Sequence, residues 1–139
     1  MNILRFMIPK SSVEYITDQS TVRQALEKMR YHHYVAIPVL KPTGEYVGTL
    51  RNDDIFKYFI DNSIFDTRAA ERDSVMRILD KDYCKPLLYS ASVDELFELV
   101  KEHNLAPVVD DRGCFIGLIL RRDVLDFLHR FYTEKSTPV

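Results

Sequence analysis

The chain has 139 residues and 16.3 kDa, is 46% apolar and 29% charged, and its 19 Lys and Arg against 21 Asp and Glu leave a formal charge of −2. That apolar content suits a folded globular chain and excludes disorder. The near-neutral charge excludes a general DNA or RNA binder, which needs a basic excess to neutralise phosphates.

The elements follow in chain order. Met1 to Lys10 has an early arginine, no long apolar stretch and no small-residue cleavage site, so it does not read as a signal peptide. A short strand is expected near Val13 to Thr17. Thr21-x-x-Gln24 is a capping box, and Val22, Ala25, Leu26 and Met29 follow at helical spacing. Val35 to Leu40 is an apolar run too short for a helix. Lys41-Pro42-Thr43-Gly44 is a turn, and Tyr46 to Leu50 completes a hairpin. A second helix covers Asp53 to Asn62. After a polar stretch, the order begins again with a short strand near Pro86 to Tyr89. Ser92-x-x-Glu95 is the next capping box, followed by Val93, Leu96, Phe97 and Val100 on one helix face. Leu105 to Val109, the turn Asp110-Asp111-Arg112-Gly113, and Cys114 to Leu120 make a second hairpin. A helix over Arg122 to Tyr132 closes the series.

The two series are one repeat. At an offset of 69 residues Pro38-Val39 meets Pro107-Val108, Gly44 meets Gly113, Gly48 meets Gly117 and Asp54 meets Asp123. Upstream the offset is 71, where Thr21-Val22 meets Ser92-Val93 and Met29 meets Val100. The expected organisation is a first repeat over 1–62, a linker over 63–71 and a second repeat over 72–139. Each repeat is β-α-β-β-α, so the fold class is α+β. One such unit buries too little apolar surface alone. Two units packed sheet to sheet around a pseudo-twofold axis are expected.

The segments Phe6-Met7-Ile8-Pro9, Ala36-Ile37-Pro38-Val39-Leu40 and Gly48 to Asp54 carry a resemblance. So do Ala106-Pro107-Val108-Val109 and Gly117 to Val124 in the second copy. The chain resembles a tandem CBS-domain pair over nearly its whole length. The resemblance implies a ligand-sensing module that binds adenine nucleotides in clefts between the repeats. It also implies that Asp54 and Asp123, six residues after each strand glycine, hold the ribose. One carboxylate can accept from both vicinal hydroxyls, and a helix start suits a nearby phosphate. Arg51, Arg121 and Arg122 would supply counter-charge. Tyr34, Val35 and Ala36, with Leu105 and Ala106, would line the purine slot. The plainer alternatives are helix capping for the aspartates and a solvated pair for Arg121-Arg122. The chain departs from the family where Thr or Ser usually follows the strand glycine by three: it has Arg51 and Leu120.

The opening Phe-Met-Ile, the Tyr34 to Leu40 segment and Arg121-Arg122 are also similar to small stand-alone CBS proteins of Gram-positive bacteria that bind cyclic di-AMP. That likeness implies further contacts near Ser12 and Glu14. It leaves cyclic di-AMP, AMP and ATP all open as ligand.

No nucleotide-loop, GxSxG or HExxH motif is present, and no enzyme activity, cofactor or metal is expected. His32-His33 are adjacent and point apart. His32 and His103 read as helix C-terminal residues that complement the dipole. His129 has no evident partner. Cys84 and Cys114 form no CxxC pair and read as buried structural thiols in a reducing cytoplasm, although Lys85 beside Cys84 would favour a thiolate. No uncharged stretch approaches the roughly 20 residues that cross a bilayer, so no membrane partner is expected. Ile55, Phe56, Tyr58, Phe59 and Ile60, and again Phe127, Leu128, Phe131 and Tyr132, cover more than one helix face, which predicts a homodimer. The expected function is a cytoplasmic adenine-nucleotide sensor that controls a separate target protein, by resemblance a metabolic or stringent-response enzyme. The alternative is a constitutive interaction module whose clefts bind nothing.

Overall fold

The structure, a computed structural model, describes residues 1–62 and 67–136. Its elements are β1 (Ile8–Pro9), β2 (Ile16–Thr17), α1 (Val22–His32), β3 (Ala36–Leu40), β4 (Tyr46–Arg51), α2 (Asn52–Asp61) and the short α3 (Thr67–Ala70). They continue with β5 (Leu87–Leu88), α4 (Val93–Glu102), β6 (Leu105–Val109), β7 (Phe115–Leu120) and α5 (Arg121–Ser136). The class is α+β, with the β-α-β-β-α order twice and one sheet per repeat. Of the linker expected over 63–71, residues 63–66 lie outside the described residues.

The hairpins keep the repeat in atomic register. In β3–β4 Ala36 pairs with Arg51 and Val39 with Gly48, and in β6–β7 Leu105 pairs with Leu120 and Val108 with Gly117. Both ladders shift at the same step, between Val39 and Leu40 and between Val108 and Val109. Each turn needs a left-handed residue, supplied by Gly44 (φ 103°) and Gly113 (φ 79°). The second turn is also tied by Asp110, whose Oδ1 accepts from the N–H groups of Cys114 and Arg112, both at 2.9 Å. Those bonds, Cys114's first, hold its carboxyl below the usual range. Helices α1 and α4 start as expected: in both capping boxes the hydroxyl accepts from N3 and the N3 side chain reaches back. Their inward faces bury Val22, Ala25 and Met29, and Leu96 and Val100.

The two compact units are drawn differently from the repeats. Met1–Val13 packs with the segment from Pro86 onward, and Glu14–Lys85 forms the other unit. In the first unit β1 joins the outer edge of β7, antiparallel, giving the order β1-β7-β6-β5. Ile3, on a 3-10 turn over Ile3–Phe6, is fully buried with Leu96, Val108, Ile119 and Val124. Phe6 meets Phe127 edge-on at 5.2 Å. In the second unit β2-β3-β4 form the sheet, and a 3-10 turn over Val75–Arg77 buries Val75 against Ala25, Ile37, Leu50 and Ile55. Ile3 and Val75 are 72 residues apart, as are Met7 and Leu79, which stand over Gly117 and Gly48. The lead-in Phe6 to Pro9 therefore serves the sheet of the second repeat. Residues 73–80 serve the first, because each hairpin leaves a glycine bare for a neighbouring segment to approach.

Polar contacts fasten that second lead-in. Asp73 Oδ2 accepts from the Tyr58 hydroxyl, its Oδ1 accepts from Arg77 at 2.9 Å, and its carbonyl accepts from the Val22 N–H at 2.8 Å. Tyr58's bond to Asp73, and then Arg77, keep the Asp73 carboxyl low, while burial and Asp73 push Tyr58 up to about 12. Thr49, 1% exposed, is satisfied by the Tyr46 hydroxyl at 2.6 Å, which donates in turn to the Cys84 carbonyl at 2.9 Å. Cys84 is 1% exposed, and burial pushes its thiol up from 9.0 to about 11, so Lys85 does not make it a thiolate.

A Cβ on Gly117 would sit 2.5 Å from the Ile8 carbonyl oxygen, whereas one on Gly48 meets only the tip of Leu79 at 3.2 Å. Gly117→Ala should lower the urea midpoint by the equivalent of about 1–3 kcal/mol, and Gly48→Ala by well under that; equal midpoints would contradict the backbone approach. Cys114, expected to be buried, is only half-buried at the start of the second hairpin's return strand, so iodoacetamide at pH 8 should label Cys114 in the native protein and Cys84 only after unfolding. Because the Cys84 pKa is raised on folding, its contribution to stability is intact below pH 9 and declines as pH rises from 9 to 11. A pH titration of the melting temperature reads that decline, and Cys84→Ala should lessen it chiefly between pH 9 and 10, below the range where the raised Tyr46 and Tyr58 add their own.

Candidate functional site

The chain leaves each hairpin into a helix in the same way. The Asn52 N–H donates to the Val35 carbonyl at 2.9 Å, and the Arg121 N–H donates to the Asn104 carbonyl at 2.8 Å. This anchor sets Asp54 and Asp123 on the first turns of α2 and α5. From there the two copies diverge.

At α2 the Asp54 carboxylate is occupied from within the chain. Its Oδ2 accepts from the Arg51 backbone N–H at 2.9 Å and from Arg51 Nε at 3.2 Å, and its Oδ1 accepts from Arg51 Nη2 at 2.9 Å. Only 9% of the Asp54 side chain and 29% of that of Arg51 are exposed. The guanidinium also lies 3.7 Å from the centre of the Tyr83 ring. Burial alone would lower the Arg51 pKa, but its bonds to Asp54 and the carboxylate charge outweigh that and raise it. Lys57, Arg77, Asp61 and Asp80 join Arg51 and Asp54 around a cleft of about 360 Å³. Sequence reading assigns Arg51 to phosphate and misses Tyr83, Lys57 and Arg77. Tyr83 lies 32 residues beyond Arg51, and no local pattern marks it.

At α5 Leu120 stands where Arg51 does, so no cation reaches back. Asp123 is half-buried and makes no hydrogen bond or ion pair among the described residues. Arg122 is exposed and pairs with no described carboxylate. Arg121 is partly committed, since its Nε donates to the Val100 carbonyl at 2.7 Å near the end of α4.

The expected lining residues differ in exposure. In the first repeat Val35 is 61% exposed, while Tyr34 and Ala36 are half-buried. Tyr34 stacks on His32 with ring centres 5.2 Å apart. The ladder pairs Leu105 with the Ala36 position and Ala106 with that of Ile37, and both Leu105 and Ala106 are buried. Ala106 is fully enclosed by its core. Ser12 is exposed on the 3-10 turn Lys10–Ser12. Glu14 pairs with Lys28 Nζ at 3.1 Å, has His32 Nε2 3.8 Å away, and borders a groove of about 580 Å³ with Thr17, Ser20 and Gln24. His32 and His103 both stand at helix C-termini. Among the described residues, no three His, Cys, Asp or Glu are grouped to hold a metal ion, and no helix is long and apolar enough to cross a membrane.

Comparison with known proteins accounts for the repeat. The CBS domain profile matches residues 5–61 and 85–130. An uncharacterised protein of Methanocaldococcus jannaschii is 29% identical over 118 residues, covering 76% of this chain and 42% of that protein, so the chain spans less than half of that relative. Listeria monocytogenes CbpB, solved in complex with c-di-AMP, has a TM-score of 0.84 at 22% identity, over 94% of this chain and 96% of that one. CBSX2, solved in complex with AMP, has a TM-score of 0.76 at 18% identity, over 94% of this chain and 98% of that one. At these identities the likeness to the solved structures is one of fold. The profile falls on both hairpins with their flanking helices, and the chain belongs to the CBS-domain family as a tandem pair of repeats.

Proposed function

We propose that this protein is an adenine-nucleotide sensor without chemistry of its own, which passes its state to a separate target protein. The observation that carries this reading is the Asp123 carboxylate. It sits on the first turn of a 16-residue helix, half-buried and unpartnered among the described residues, with Arg122 exposed beside it. A carboxylate so placed can accept two vicinal hydroxyls, and the adjacent guanidinium and helix N–H groups suit the attached phosphate. That CbpB was solved with c-di-AMP and CBSX2 with AMP supports the ligand class. AMP and ATP offer Asp123 both ribose hydroxyls. In cyclic di-AMP the 3′ oxygens are esterified, so each ribose offers one, and its second phosphate places more weight on Arg122.

Ligand binding would act by favouring one arrangement of the protein over another, to the extent that it binds the two differently. Phe56 and Ile60 on α2, and Leu125, Phe131 and Tyr132 on α5, are more than half exposed apolar side chains suited to a homodimer contact. The second reading, a constitutive interaction module, is favoured by one observation, the Arg51–Asp54 pair that fills the first repeat's carboxylate.

A thermal-shift panel with AMP, ATP and cyclic di-AMP separates the two. A ligand at about 100 times its dissociation constant adds about 2.7 kcal/mol. A flat response to all three would leave the constitutive module. Asp123→Ala should weaken AMP about 10- to 100-fold, the worth of lost charge-assisted hydrogen bonds. Arg122→Ala should weaken cyclic di-AMP more than it weakens AMP. Isothermal titration reads both, and unchanged affinities in both variants would remove this site assignment.

A further inference from the structure

We infer that Arg51 is a built-in occupant of the first repeat's aspartate, which bars a mononucleotide from Asp54 and leaves the chain one working site, at Asp123. The inference rests on the reading of the two aspartates as ribose acceptors, and it adds which of them is open.

Three features make the occupant hard to displace. The Arg51 fork meets both carboxylate oxygens, at 3.2 Å and 2.9 Å, and the Arg51 N–H takes a further lone pair at 2.9 Å. Bidentate guanidinium–carboxylate bonds are stronger and more specific in geometry than hydrogen bonds from neutral hydroxyls, which are all a ribose can bring. The face of the guanidinium is held separately, 3.7 Å from the Tyr83 ring centre, so Arg51 is fixed both in plane and on its face. The pair is also partly withdrawn from water, with 9% of the Asp54 side chain exposed, which limits the screening that makes surface ion pairs weak.

The second repeat supplies the internal comparison. Leu120 occupies the ladder position of Arg51, opposite Leu105 as Arg51 is opposite Ala36. Leucine has nothing to offer a carboxylate, and Asp123 makes no hydrogen bond or ion pair among the described residues. One substitution at a shared backbone position thus separates a closed aspartate from an open one.

The test is the stoichiometry of radiolabelled AMP in equilibrium dialysis, with cyclic di-AMP run in parallel. Arg51→Ser is the informative variant, because serine is a preferred helix cap and leaves the start of α2 supported. Circular dichroism and melting temperature confirm its fold. Wild type should bind one AMP per chain, Asp123→Ala none within about tenfold of the wild-type affinity, and Arg51→Ser two. The new site should have a dissociation constant within about tenfold of the first. Arg51→Ser with Asp123→Ala should return to one, and adding Asp54→Ala should abolish it. Two AMP per wild-type chain, or no gain in Arg51→Ser while the Asp123 site still titrates, would overturn the occupant and leave the sensor reading standing. Cyclic di-AMP binding with no AMP bound by wild type or Arg51→Ser would likewise overturn the occupant alone. No binding of either nucleotide to any variant would overturn both.

Discussion

The bare α-carbon of a strand glycine is the constraint on which this fold depends. At Gly117 the chain of β1 comes so close that a methyl group would fall 2.5 Å from the Ile8 carbonyl. That approach lets β1 cover the outer edge of β7, which would otherwise present unpaired N–H and C=O groups. It also delivers Ile3 into the core beneath α4 and α5. Gly48 makes the looser equivalent contact, with the Leu79 side chain in place of backbone, and no added strand forms there among the described residues. Instead Asp73 fastens the lead-in, binding Tyr58, Arg77 and the Val22 N–H. The two units thus solve one packing problem with backbone in one case and with side chains in the other.

Duplication has kept the backbone and released the electrostatics. Both hairpins share their register, their bulge and their turn glycine, since a slip of one residue would turn every core side chain outward. No such penalty protects the residue before each helix. Its side chain lies at the border of solvent, where arginine and leucine are both tolerated. The same aspartate is therefore a salt-bridge partner in α2 and, among the described residues, an unpaired group in α5. A chain with two copies of a motif need not have two copies of a site.

Much of the fold was legible because its signals are short-range. Both capping boxes, the hairpins with their turn glycines, and the offset of 69 residues rest on neighbours within a few positions or on direct self-comparison. The candidate site was legible in part. The two aspartates stand where the repeat puts them, at the first turns of α2 and α5. Arg51 and Asp54 are three apart, a spacing that permits an ion pair, yet the sequence reading assigns the arginine to phosphate. It assigns Arg121 to phosphate as well, and in the structure the Arg121 Nε holds a carbonyl of α4. The resemblance assigns Ala106 to the purine slot, and its side chain is fully buried, because the ladder aligns it with Ile37 and not with Ala36.

By itself the sequence determined the class, the order of elements, the register of the repeat and the positions of the two aspartates. Each of these follows from periodicity, capping and turn chemistry that neighbouring residues decide among themselves. Only the tertiary structure decided which sheet each lead-in serves, that Tyr83 covers Arg51, and that burial leaves Cys84 a thiol. Those outcomes depend on contacts between segments far apart in the chain. Such contacts leave no period in the sequence, and they are settled by which glycine is bare and which charge is already paired.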